Sequence, residues 1–191
     1  MTRGPSREGG GAAGLEAADR EELLRIARAA LRAEILVSPE PVLAPRATLC
    51  RPGGAFVSLH DRGGELRGCV GQMRAERPLH ETVARMAVAA ATQDERFARV
   101  TAADLAGLVI EISVLGPLLP VRAHEVEVGR HGVLLRLHGR SGVLLPQVAM
   151  AQGWDREQFL AKVAGKAGFA EDAWQLAEAE IFVFTAEVFG E

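Results

Sequence analysis

The spacing of apolar residues changes period several times along this chain, and each change marks an element. In "AADREELLRIARAALRAEIL" Leu23, Leu24, Ala27, Ala30, Leu31 and Ile35 fall on one helical stripe, with Asp19 as a candidate N-cap. "LHETVARMAVAAAT", after Pro78, predicts a second helix with Val83, Met86, Ala87 and Ala90 inward. Between them "SPEPVLAPRA" cannot continue a helix and predicts an extended connector. "AFVSLHDRGGELRGCVGQM" predicts a β-hairpin with its turn at Gly63-Gly64. "TAAD", Thr101 to Asp104, predicts a capping box opening a short helix. "LVIEISVL" alternates, with Leu108, Ile110, Ile112 and Val114 on one face and Val109, Glu111 and Ser113 on the other. A second hairpin is predicted in "HGVLLRLHGRSGVLLPQV", and its "LHGRSG" echoes "LHDRGG" of the first. "WDREQFLAKVAGKAG" predicts a helix capped by Asp155 and closed near Gly168, and "EIFVFTAEVF" an alternating final strand. Hairpins that lead into helices point to an α+β fold with mainly antiparallel sheet. Residues 1–14 are glycine-rich and carry too little apolar surface to offset their ordering entropy, which predicts a disordered tail before one domain over 15–191.

The first hairpin holds the candidate chemistry. A two-residue loop at Gly63-Gly64 sets His60 opposite Arg67, Ser58 opposite Cys69 and Val57 opposite Val70. Val57, Leu59, Leu66 and Val70 then share an apolar face, while Ser58, His60, Arg67 and Cys69 share a polar one. A one-residue slip would mix the two sets. On the polar face Arg67 lies two residues from Cys69, and His60 is its diagonal neighbour. A cation and an imidazole beside a thiol are surroundings in which cysteines react. Gly68 and Gly71 leave backbone uncovered beside the sulfur, room for a ligand or for another backbone. The same residues fit a small buried cysteine at a sheet crossing, and the local pattern leaves both readings open. Glu111, inside an apolar run, costs roughly 3 kcal/mol if buried unpaired. It therefore faces solvent or meets a cation, for which Arg67 is the natural candidate.

Composition narrows the classes. With 191 residues and 48% hydrophobic content, the chain can build one domain or two small lobes sharing a core. A net charge of −3 argues against a protein made to neutralise nucleic-acid phosphates. The arginines between Arg46 and Arg77 read as a solvated face, so nucleic-acid binding is the weakest functional class. All but two of the cations are arginine, the exceptions being Lys162 and Lys166, a bias read as genome composition. Cys50 and Cys69 are far apart and form no Cys-x-x-Cys pair, so no metal site is expected. His131 and His138 read as surface residues. "GELRGCVG" has neither a Walker lysine nor the placement of a dinucleotide fingerprint. Without an apolar leader or a bilayer-length apolar run, a cytoplasmic protein with no membrane partner is expected.

The string "LRGCVG", Leu66 to Gly71, resembles the signature of the AMMECR domain family. "TQDERF", "IEISVL", "LLPQVAMAQGWDREQFL", "KAG" and the closing strand extend the likeness, in order, from about Leu15 to Glu191. It looks closest to the prokaryotic branch called AmmeMemoRadiSam system protein A. The resemblance implies an α+β fold with two lobes around a mainly antiparallel sheet, and neighbours resembling Memo-like and radical-SAM proteins. It brings no settled activity and leaves any cofactor unknown. By position it carries over Arg67, Gly68, Cys69 and Gly71, together with Asp94, Arg96, Glu111 and Gln147. The family often has a second cysteine where this chain has Ala164, and a small hydroxyl residue where it has Gln72. The expected site is thus catalytic at Cys69, Arg67, His60 and Glu111, with Gly68, Gly71, Asp94, Arg96 and Gln147 contacting a ligand. A non-catalytic partner that presents a substrate to those neighbours is the rival reading.

Overall fold

In the computed structural model, which describes residues 14–39 and 44–191, the chain builds one lobe, crosses to a second and returns to the first. The first lobe holds helix α1 (Ala17–Ile35), strands β1 (Ala55–His60) and β2 (Leu66–Gln72), helix α2 (Leu79–Thr92) and strand β3 (Val109–Leu115). The second holds β4 (Leu119–Pro120), β5 (Gly132–Leu137), β6 (Arg140–Leu144), α3 (Pro146–Gln152), α4 (Arg156–Lys166) and β7 (Glu180–Phe184). Strand β8 (Ala186–Gly190) then returns to the first sheet.

The two sheets, ordered β2-β1-β3-β8 and β4-β7-β5-β6, are antiparallel throughout. The α+β class and the two lobes stand as expected. Each lobe, however, has its own sheet and its own core. Helices α1 and α2 cover one face of the first sheet, burying Leu23, Leu31, Val83 and Ala87 against Val57, Leu59, Ile110 and Ile112. Helix α4 buries Phe159, Leu160 and Val163 against Val133, Leu135 and Val183. Asp155 caps α4 by accepting from the Gln158 N–H at 2.8 Å, as its position requires.

Several details differ from the pattern reading. Asp19 is not the N-cap of α1 but lies in its first turn, where it accepts from the Glu16 N–H. It is buried there because Arg46 Nε and Thr48 Oγ1 both donate to it at 2.7 Å. Thr101 does donate to Asp104, at 2.7 Å from its hydroxyl, but the segment closes as successive turns without a helix. The final strand is two strands in different sheets, divided at Thr185. Helix α3 was absent from the pattern reading, and Pro146 opens it at a position where the missing N–H costs nothing. The two hairpins also turn differently. His138 and Gly139, both with positive φ, form a two-residue turn between β5 and β6. The first hairpin has a longer loop closed by Gly64 at φ 83°. The expected tail, apart from Gly14, and residues 40–43 of the connector lie outside the described residues.

Candidate thiol site between the lobes

The first hairpin reaches its expected far register by an unexpected route. Asp61 pairs with Glu65 and His60 with Leu66, so the loop holds three residues where two were expected. A bulge at Arg67 then adds one residue to β2 and brings Leu59 opposite Gly68, Ser58 opposite Cys69 and Val57 opposite Val70. The pairing of His60 with Arg67 is therefore wrong. Leu66, expected on the apolar face, sits opposite His60 and stays outside the first core.

Cys69 lies on the edge strand of its sheet, on the face opposite the helices. Its backbone points away from β1, which makes Ser58–Cys69 a pair without mutual backbone bonds; such pairs bring side chains closer. The Ser58 hydroxyl accordingly donates to Cys69 Sγ at 3.3 Å. The outward N–H and carbonyl of Cys69 are taken up by the segment following α2. Asp94 Oδ2 accepts from the Cys69 N–H at 2.8 Å, and Arg96 Nη2 donates to the Cys69 carbonyl at 3.3 Å. Arg96 also grips both Asp94 oxygens, at 2.8 and 2.7 Å, a bidentate pair. These bonds from Arg96, then those from the Cys69 and Arg96 N–H groups, hold the Asp94 carboxyl well below the usual carboxylate range despite its burial. "TQDERF" is thus an edge clamp that fixes the backbone of Cys69.

Across the same face, Ser58 pairs with Glu111 of β3, so Cys69, Ser58 and Glu111 form a row over three strands. Two positions along β3, buried Ser113 accepts from Gln147 Nε2 at 3.3 Å, and Gln147 belongs to the second lobe. Lys166, one of the chain's two lysines, is the last residue of α4 in the second lobe. Lys166 has exposed surface, yet protein packed near its ammonium lowers its pKa by desolvation. Cys69 opposes that change and Arg96 adds to it.

Other expected roles shift. Arg67 approaches Asp104 at 3.8 Å rather than Glu111. Glu111 is half-buried, and among the described residues no cation lies within ion-pair distance of it. His60 places Nδ1 3.4 Å from the Gly64 carbonyl, and its Nε2 is buried without a partner. The space a side chain would fill at Gly68 is taken by another backbone, and at Gly71 by an aromatic ring. A Cβ on Gly68 would overlap the Ala90 carbonyl of α2, and one on Gly71 would overlap the Phe56 ring. Asp94 and Arg96 do gather at Cys69, and Gln147 joins the same face. Ser58 was missed as a site residue. Its direct pairing with Cys69 was the available signal. Ala164 is buried in the second core, so no second thiol stands there. Among the described residues no group of three or more His, Cys, Asp or Glu could hold a metal ion. None of their helices is long and apolar enough to cross a membrane. A groove of about 720 Å³ lies between α1 and α2, lined by residues such as Ala30, Ala84 and Ala89.

The family model AMMECR1 matches residues 24–189. A protein of Aeropyrum pernix is 40% identical over 186 residues, covering 93% of this chain and 80% of its own. Protein MK0488 of Methanopyrus kandleri is 37% identical over 184 residues, covering 90% and 87%. The crystal structure of Protein PH0010 from Pyrococcus horikoshii has a TM-score of 0.86 with this fold, at 34% identity and 93% coverage of both chains.

Proposed function

This chain belongs to the AMMECR1 family, and on that premise we propose that Cys69 is the nucleophile or reversible acceptor of a small-molecule site between the two lobes. The observation that carries the reading is the set of groups around one residue: a hydroxyl donating to its sulfur, and a backbone clamped by Asp94 and the Arg96 guanidinium. A thiolate formed there would have a hydrogen-bond donor and an opposite charge beside it. Sγ would add to a carbonyl-type carbon as that carbon's π pair moves to its oxygen, which takes up the thiol proton, and reversal of the addition returns both. Asp94 and Arg96 act as positioning residues, since they hold the strand from which the sulfur projects.

Differential alkylation tests this. In the native protein Cys69 should react with iodoacetamide faster than exposed Cys50, although Cys50 has more open surface. Arg96→Gln should slow Cys69 and leave Cys50 unchanged. If Cys69 reacts only after unfolding, the cysteine is packing and the thiol reading fails. Ordinary reactivity at both cysteines would favour the rival, a non-catalytic partner of Memo-like or radical-SAM proteins.

A further inference from the structure

On the outer side of α4 we infer a second binding site, for an organic cation. A groove lined by Trp154, Trp174, Glu157 and Asp172 receives an ammonium or guanidinium group there, independently of the thiol reading. The groove measures about 420 Å³. Helix α4 forms one border: it buries Phe159, Leu160 and Val163 inward and exposes Glu157, Gln158 and Lys162. Local structure fixes both indoles. The Trp154 N–H closes α3 by donating to the Ala149 carbonyl at 3.0 Å. Trp174 sits in the short helical turn Ala173–Gln175, anchored by buried Ala173. Each indole packs partly on the second core and gives the rest of its surface to the groove.

The charges point one way. Lys162 is the one cation of the lining, and Glu171 already holds it at 2.6 Å. The Glu157 and Asp172 carboxylates are exposed and make no ion pair or side-chain hydrogen bond among the described residues. Arg156 lines the adjoining groove instead, where its Nε donates to the Val126 carbonyl at 2.8 Å. The N-terminus of α4 offsets part of the Glu157 charge, but Asp172 belongs to another segment. Among the described residues no carboxylates gather as metal ligands, so the charge is not arranged for a metal ion. An indole face is itself negative and attracts cations more strongly than any other side-chain ring. A solvated acidic surface needs no tryptophan. This chain has two tryptophans and no tyrosine, and both tryptophans line this groove.

That composition supplies the test, since the intrinsic fluorescence of the full chain comes from Trp154 and Trp174 alone. Choline chloride replaces sodium chloride at constant ionic strength. The control is the uncharged tert-butyl analogue of choline, in which carbon replaces nitrogen. The emission change should saturate with choline at a concentration about tenfold below that needed for the analogue, the scale of two exposed cation–π contacts. Glu157→Gln with Asp172→Asn should weaken choline several-fold and leave the thermal midpoint nearly unchanged, because both side chains are exposed. Trp174→Leu, read through Trp154, should remove most of the preference for choline over its analogue. No saturable change, an equal response to both compounds, or an affinity untouched by the double carboxylate substitution overturns the site. A blocked peptide with one central lysine separates the sources of the cation. Binding tighter than choline's assigns the groove to a partner chain, and weaker binding assigns it to a free amine.

Discussion

Asp94 shows how a single side chain ties stability to the site. Its carboxyl is depressed in the folded protein by Arg96 first and by the Cys69 N–H next, so the unfolded chain takes up the proton earlier as pH falls. The contribution is complete above about pH 4, the ordinary aspartate value, and is lost as pH drops through the depressed native one. Asp94→Asn should therefore cost roughly 2 kcal/mol at pH 7, and the gap to the parent should close in acid. Urea melts at pH 7 and pH 3 check it, since at pH 3 the gap should already have begun to narrow; a pH-independent gap would mean the charge is irrelevant. Glu111, half-buried without a cation, is the contrasting residue, and Glu111→Gln should shift stability by only about 1 kcal/mol or less in the same melts. Cys69 and its clamp could be singled out in the sequence, by the setting of one residue and by the family likeness of the other segment. The partner of Arg67 could not, because it is set by how distant segments pack.

Among the elements, the hairpins reveal what alternation can and cannot settle. Apolar and polar faces located Ser58 opposite Cys69, yet a longer loop and a compensating bulge leave that pairing unchanged while displacing Leu66 and Arg67. The split of the last strand was equally hidden, since period two reads the same on either side of Thr185. The two hairpins share a feature more telling than their similar turns. The second strand of each carries a glycine beneath a helix carbonyl, Gly68 under Ala90 and Gly142 under Val163. Neither backbone can yield cheaply to a methyl group. Gly68→Ala and Gly142→Ala should each destabilise by about 1–3 kcal/mol in denaturant melts, as overpacking does. If either is tolerated without loss, the helix–sheet spacing there is looser than the structure draws it.

For the molecule as a whole, two separate cores predict uneven opening. Phe159→Ala, deep in the second core, should cost about 3–5 kcal/mol locally and lower amide protection across β5 and β7 more than across β1 and β3. Hydrogen exchange that falls equally in both sheets would show that the lobes unfold as one unit. The clamp on β2 carries a further consequence once many copies share a solution. An edge strand with a free N–H and carbonyl is a template for extended chain from another molecule. At Cys69 those two groups are already satisfied by Asp94 and Arg96, so the pair that steadies the thiol also closes part of the sheet to unwanted polymerisation.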